Sequence, residues 1–244
     1  MKNEQVYLIG TGLGSLELLT LGAVRSIGLA DVILIGSLVN PDVLEFAQGN
    51  AQIVYVGKRG GCHSTPQTLI HKQMVSLACA GKVVVRIKGG DPIMFGRGWE
   101  EVQTLRQDGI SVSVVSGITA ELSIPLAYRD CTHGLKIVTG HTQETKETNW
   151  QALAAIRITL DIYMSMSNLG YIVQQLIAHG LSKDIFAAAI QNGTLLNQQQ
   201  VLATLGLIES LVATEKMANP AIAVNGEVVR FSIDAEQVSQ RFAA

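Results

Sequence analysis

Arg86-Ile87-Lys88-Gly89-Gly90-Asp91-Pro92 is the segment from which the architecture can be worked out, and it directly follows the apolar run at residues 83–85. A β-branched run of this kind predicts a buried strand, which the paired glycines and the proline then end. The glycines let the backbone approach a ligand closely, and Asp91 adds a carboxylate. Because open α/β sheets bind ligands at the carboxyl ends of parallel strands, this loop is predicted to be a ligand loop. A simple turn explains the Gly-Gly-Asp-Pro tetrapeptide equally well by itself.

The composition predicts an α/β protein with a sizeable core. The chain has 244 residues, of which 48% are hydrophobic and only 16% are charged, and its 24 glycines indicate many tight turns. A net charge of −2 argues against a nucleic-acid partner. An anionic ligand would therefore be held by local basic residues rather than by the field of the whole molecule.

Neither a membrane segment nor a metal site is predicted. The amino terminus has only a short apolar stretch before Gly10, and no apolar run is long enough to span a bilayer, so a cytoplasmic protein without a membrane partner is expected. The three cysteines, Cys62, Cys79 and Cys131, are odd in number, and the five histidines are scattered. This pattern favours neither a disulfide framework nor a metal centre.

Strands and helices alternate through the first half of the chain. Apolar runs at residues 6–9, 32–35, 53–56 and 111–115 predict further strands, and a helix is predicted through residues 18–24. This alternation is typical of a mostly parallel sheet. The first loop, Gly10-Thr11-Gly12-Leu13-Gly14, resembles a dinucleotide fingerprint but lacks its spacing, and Gly36-Ser37 follows the second strand where a ribose-binding acid is expected. A nucleotide-like ligand other than NAD or FAD is therefore favoured, and glycines that serve only packing are the alternative.

The pattern changes in the middle of the chain, which predicts two lobes. Residues 1–116 form the amino-terminal α/β lobe, residues 117–134 a linker that lines a cleft, and residues 135–244 the carboxy-terminal α/β lobe. In the second lobe, apolar runs at residues 186–191 and 200–205 surround the turn Asn192-Gly193-Thr194. A mixed sheet is therefore expected there.

Several motifs, in a fixed order from Val6 to Val229, resemble those of the tetrapyrrole methylases, and among them the uroporphyrinogen-III C-methyltransferases. A set of matching motifs is much more specific than one glycine loop. The motifs are Val56-Gly57-Lys58-Arg59-Gly60, His63-Ser64-Thr65-Pro66-Gln67, the segment at residues 86–92 with Phe95-Gly96-Arg97-Gly98, Val115-Ser116-Gly117-Ile118-Thr119-Ala120, Val138-Thr139-Gly140-His141, Tyr163-Met164 and Asn192-Gly193-Thr194.

The resemblance implies a two-lobed tetrapyrrole methylase fold, S-adenosylmethionine in the cleft, no metal and a homodimer. It implies C-methylation of uroporphyrinogen III to precorrin-2, with S-adenosylhomocysteine as the second product. Catalytic roles are implied for Lys58, Arg97 and Glu100, and binding of the carboxylate-rich tetrapyrrole for Arg59 and Arg129. The implied cofactor contacts are Leu13, Gly89, Gly90, Asp91, Met94, Thr119, Ala120, Met164 and Gly193.

This chain also differs from the family pattern. Leu13 replaces a proline, Trp99 replaces a glycine, and Gly36 stands where the family generally has an acid proposed to accept a proton. The chain is several residues shorter between Ala120 and Pro125. Two alternatives therefore stay open: a methylase of another precorrin such as precorrin-4, whose enzymes have a loop similar to residues 36–41, and a non-catalytic paralogue that binds tetrapyrrole or cofactor.

Overall fold

The protein contains two sheets, of which the first has a hydrophobic core on each face and the second has a core of its own. The computed structural model describes residues 5–57, 65–124, 130–140, 148–155 and 158–232. The chain divides into two compact units, Met1–Ala120 and Glu121–Ala244.

The sheet of the first unit is parallel, as predicted. Its strand order is β3-β2-β4-β1-β5, so the strand that leads into the Gly-Gly-Asp-Pro loop is central. This strand spans Val84–Lys88 instead of the predicted residues 83–85, because Arg86 and Ile87 pair with both neighbouring strands and Lys88 pairs with Gly10. The strands are β1 (Val6–Gly10), β2 (Val32–Ile35), β3 (Gln52–Tyr55), β4 (Val84–Lys88) and β5 (Val112–Val115).

Helices cover both faces of this sheet. Helices α2 (Gln67–Cys79) and α3 (Gly98–Gln107) pack on one face, and α1 (Leu21–Ile27) with the 3₁₀ helix Pro41–Phe46 packs on the other. Successive residues of a strand point to opposite faces. Val84 accordingly belongs to the core under α2 and α3, and Val85 belongs to the core under α1.

The helix predicted through residues 18–24 begins later than expected. Residues Leu16–Leu18 form a separate 3₁₀ helix, and α1 begins at Leu21. The Thr20 side chain accepts a hydrogen bond from the backbone N–H of Ala23 at 3.2 Å. This N-cap provides an acceptor for one of the backbone N–H groups that have no partner within the first turn of a helix, and it fixes where α1 begins.

The sheet of the second unit is mixed, which confirms the prediction. Its order is β6-β7-β10-β8-β9, in which β6 and β7 are parallel and the other pairs antiparallel. The strands are β6 (Leu135–Thr139), β7 (Thr159–Tyr163), β8 (Phe186–Gln191), β9 (Gln199–Thr204) and β10 (Ala221–Asn225).

One face of the second sheet packs against helices α5 (Trp150–Ala155), α6 (Leu169–Ala178) and α7 (Ile208–Thr214). A short helix, α4 (Ala120–Ser123), begins at the last residue of the first unit. The sequence patterns predict α6 but neither α5 nor α7. Within the described ranges, no helix is both long and apolar enough to cross a bilayer.

Candidate active site

Three glycine loops interlock at the carboxyl edge of the first sheet. They follow β1, β4 and β5, and the N–H of Gly90 donates to the carbonyl of Gly12 at 2.7 Å. A Cβ on Gly10 would collide with the Gly90 carbonyl and would lie 2.6 Å from the Gly117 nitrogen. A Cβ on Gly117 would collide with the same carbonyl. Glycine is therefore required at Gly10 and Gly117 for the three loops to approach each other.

The loop after β4 is open on the side that faces Thr119. Gly90 has a φ of +66°, and a Cβ built on it would meet no described atom closer than Thr119 Oγ1 at 3.9 Å. Oδ1 of Asp91 accepts hydrogen bonds from the N–H groups of Ile93 at 2.8 Å and Met94 at 3.2 Å. The carboxylate therefore orders its own loop through Oδ1. Its second oxygen, Oδ2, takes no part in these two hydrogen bonds.

The other predicted cofactor residues of the first unit lie in these loops or directly after them. Leu13 is half-buried between two glycines of positive φ, and Asn40 Nδ2 donates to the carbonyl of Gly14 at 2.8 Å. Gly89 packs against the backbone of Leu38. Met94 is 36% exposed, Thr119 is buried, and Ala120 begins α4.

Met164 and Gly193 belong to the second unit. Met164 follows β7 with a φ of +50°. Gly193 is buried in the turn between β8 and β9, where a Cβ would collide with the side chain of Ile124. Packing against Ile124 therefore requires a glycine at this position.

Arg97 and Glu100 form an exposed, bidentate ion pair at the start of α3. Arg97 Nη2 lies 2.7 Å from Glu100 Oε2, and Arg97 Nε donates to Glu100 Oε1 at 3.0 Å. The hydrogen bond from Arg97 lowers the pKa of Glu100, and the bond to Glu100 raises the pKa of Arg97. Both groups are charged at neutral pH. The other predicted catalytic and substrate residues, Lys58, Arg59 and Arg129, lie outside the described residues.

A buried polar cluster of Arg86, Lys88 and Glu101 lies between β4 and α3. Glu101 is fully buried, and its Oε1 accepts from Arg86 Nε at 3.3 Å and from Lys88 Nζ at 3.2 Å. Burial is the main cause that lowers the pKa of Lys88, although the charge of Glu101 opposes it. Arg86 and Lys88 belong to the strand motif, but no role for them follows from the sequence. Their spacing of two residues in a strand is the signal that they share a face.

The second unit holds a further buried acid, for which the sequence motifs predict no role. Asp161 is fully buried in the middle of β7, and neither of its carboxyl oxygens has a hydrogen-bond partner among the described residues. Burial, with a smaller contribution from the charge of Glu121, raises the pKa of Asp161 to about 8. A single acid inside an apolar strand was the only sequence signal for it.

Comparison with known proteins identifies the family of this chain. The family model of the Tetrapyrrole (Corrin/Porphyrin) Methylases matches residues 5–209. A uroporphyrinogen-III C-methyltransferase of Pseudomonas aeruginosa is 44% identical over 232 residues, which cover 93% of this chain and 94% of that protein. The enzyme of the same name from Priestia megaterium is 42% identical over 236 residues, covering 93% of this chain and 99% of that protein.

A solved structure is also similar over nearly the whole chain. It is a uroporphyrin-III C-methyltransferase from Thermus thermophilus in complex with S-adenosylhomocysteine, with 35% identity and a TM-score of 0.79. The alignment covers 93% of this chain and 99% of that one. The match to the family model and the two relatives, together with this fold, show that the chain belongs to the tetrapyrrole methylase family.

Proposed function

We propose that this protein is an S-adenosylmethionine-dependent uroporphyrinogen-III C-methyltransferase that forms precorrin-2, the precursor of sirohaem and cobalamin. The observation that carries the proposal is the open, glycine-lined loop after β4, with Asp91 ordered beside it. It is supported by relatives of this name that match nearly the full length of the chain.

The described residues of the first unit fit this cofactor. A ligand with an ammonium group and ribose hydroxyls needs acceptors, which Asp91 Oδ2 and the backbone carbonyls of glycine loops provide. The space over Gly90 that no Cβ fills lets the backbone approach it. When bound, S-adenosylmethionine supplies an electrophilic methyl group. We propose that Leu13, Gly89, Gly90, Asp91, Met94, Thr119, Ala120, Met164 and Gly193 hold it.

Arg97 and Glu100 are proposed to act on the substrate. The ion pair fixes the guanidinium of Arg97, which can then bind a substrate carboxylate without first losing much side-chain freedom. Because its pKa is lowered, Glu100 is a carboxylate at neutral pH and is in the state to accept a proton from a methylated ring. Lys58, Arg59 and Arg129 keep the roles that the family resemblance implies.

A second candidate substrate is precorrin-4. Two features favour it: Gly36 leaves the end of β2 without a side chain, and Trp99 is 53% exposed on the first turn of α3. The ring of Trp99 lies 5.9 Å from the guanidinium of Arg106. This exposed aromatic surface adds bulk next to Arg97 and would alter which macrocycle fits there.

We also propose a homodimer located in the cytoplasm, which is supported by the resemblance and not by any described contact. Light scattering of the purified protein should give twice the chain mass of 26.1 kDa. A mass of one chain at micromolar concentration would contradict the dimer.

Calorimetric titration with S-adenosylhomocysteine tests the cofactor site. We expect saturable binding that Asp91→Ala weakens at least tenfold, while Asp184→Ala, which removes an exposed carboxylate of the second unit, leaves it unchanged. Methyl transfer to uroporphyrinogen III and to precorrin-4 is then compared at saturating cofactor. Turnover of precorrin-4 alone would favour the second candidate, and binding without turnover of either would favour a non-catalytic paralogue.

A further inference from the structure

We propose that Arg86, Lys88 and the open position at Gly36 form a carboxylate-binding subsite on the α2–α3 face of the first sheet. We further infer that the subsite takes one carboxylate of the tetrapyrrole. The identity of this ligand rests on the proposed function, whereas the subsite itself rests on the charges and contacts of the described residues.

The buried polar cluster carries one positive charge in excess. Among the described residues it contains two cations, Arg86 and Lys88, and both share a single oxygen of one carboxylate, Glu101 Oε1. The side chains are almost completely buried, with 7% of Arg86, 10% of Lys88 and none of Glu101 exposed. An uncompensated charge in such an environment is costly, so the cluster favours a further anion.

Among the residues that the structure describes, the neighbouring polar side chains do not supply this anion. Gln67 Nε2 donates both to Glu101 Oε1 at 2.8 Å and to His71 Nε2 at 3.0 Å. His71 Nδ1 lies 3.2 Å from Thr104 Oγ1, whose hydroxyl donates to the carbonyl of Glu100. The nearby Arg97 is already paired with Glu100.

The Nη2 edge of the Arg86 guanidinium is the part of the cluster that can bind a further anion. Its Nε donates to Glu101, and its Nη1 donates to the carbonyls of Leu34 at 3.3 Å and Ile87 at 2.9 Å. Within the described residues, Nη2 donates no hydrogen bond, and it is not among the fully enclosed unpartnered atoms. A buried arginine with one open N–H₂ group is a ready binding partner for a carboxylate.

Gly36 leaves room beside this edge. It follows β2, which pairs with β4, and a Cβ built on it would lie 3.5 Å from Arg86 Nη1 and 4.0 Å from Nη2. The closest described atom is the carbonyl oxygen of Ile87 at 3.4 Å, which is an ordinary contact distance. Gly36 is partly exposed and Ser37 is exposed, so this position is open to solvent. Lys88 directly precedes Gly89, which places the subsite next to the glycine loops.

Equilibrium unfolding in urea tests the subsite without any activity measurement. The probe is sodium formate, compared with sodium chloride at equal ionic strength, on wild type and on the matched variants Gly36→Asp and Gly36→Asn. The aspartate places a carboxylate beside Arg86, while asparagine has nearly the same size and no charge. We expect formate to stabilise wild type saturably, and Gly36→Asp to be more stable than Gly36→Asn and insensitive to formate.

Equal stability of the two variants, or a formate effect that is the same in all three proteins, would overturn the subsite. The substrate assignment is tested separately by kinetics. Gly36→Asp should raise the KM for uroporphyrinogen at least fivefold and leave the Kd for S-adenosylhomocysteine within twofold of wild type. An unchanged KM with formate binding intact would overturn the substrate as the ligand and assign the subsite to a free small anion. Wild type without methyl transfer would count against the proposed function, but the formate result would still decide the subsite.

Discussion

Asp161 is a residue whose protonation state differs between the folded and unfolded chain. Its pKa in the folded protein is about 8, against an ordinary value of 3.8, because burial disfavours the carboxylate. At a pH between these two pKa values, the Asp161 carboxyl is protonated in the folded protein and ionised in the unfolded chain. Folding is therefore stabilised by this group below about pH 4, and that contribution is lost as the pH rises to 8.

Replacing Asp161 by asparagine should remove this pH dependence. We expect the stability of wild type, relative to Asp161→Asn, to fall by about 1.4 kcal/mol per pH unit between pH 5 and 7.5. Urea unfolding at several pH values measures it. Parallel pH profiles for the two proteins would show that Asp161 does not carry a raised pKa.

Single residues were predictable where a sequence motif marks them. The Gly89-Gly90-Asp91 loop follows an apolar strand, so its position at the carboxyl edge of the sheet could be predicted, and the structure places it there. The contacts of Glu101 could not be predicted in this way. It meets Arg86 and Lys88 only because α3 packs back onto the sheet, and a tertiary contact of this kind leaves no local pattern.

At the scale of elements, Glu101 connects helix α3 to the central strand β4 and, through Gln67, to helix α2. Replacing Glu101 by glutamine preserves the size of the side chain but leaves both buried cations without a counter-charge. We expect it to reduce the free energy of unfolding by about 3 kcal/mol, as measured by urea denaturation.

The matched control for this change is Glu100→Gln. Glu100 is the next residue of the same helix, and its ion pair with Arg97 is exposed, so its loss should cost less than about 1 kcal/mol. Similar costs for the two variants would contradict the view that burial makes the Glu101 contacts important for stability.

Strands with apolar runs were predicted well, and the short helices α5 and α7 were not. Strands β1, β2 and β4 were recognised because they are buried on both faces and contain continuous apolar runs. Helices α5 and α7 have only 6 and 7 residues, which is too short for a clear helical period. The start of α1 depends on one hydrogen bond from Ala23 to Thr20, which the apolar pattern does not register.

At the scale of the molecule, the two units have separate hydrophobic cores. Ile35 and Ile87 are register partners in one core of the first unit, whereas Ile172 belongs to the core of the second. Each Ile→Val substitution should cost about 0.5–1.5 kcal/mol. For Ile35 and Ile172, the losses in free energy of unfolding should add in the double mutant to within about 0.5 kcal/mol. For Ile35 and Ile87, which are in contact, they should not add.

A double-mutant cycle in urea measures both couplings. A coupling between Ile35 and Ile172 as large as that between Ile35 and Ile87 would contradict the independence of the two cores.

The change of sheet type between the two halves was predictable, since the turn at residues 192–194 between two apolar runs indicates a hairpin. The domain limits at residues 116 and 134 stay a prediction.

The interlocked glycine loops also constrain how this protein can be engineered. Gly10, Gly90 and Gly117 come from three distant parts of the sequence, yet the backbone of one fills the space that a side chain of another would need. A graft that replaces one loop with a longer or bulkier version from another enzyme would force the other two to move. Transferring ligand specificity into this scaffold therefore requires all three loops to be exchanged at the same time.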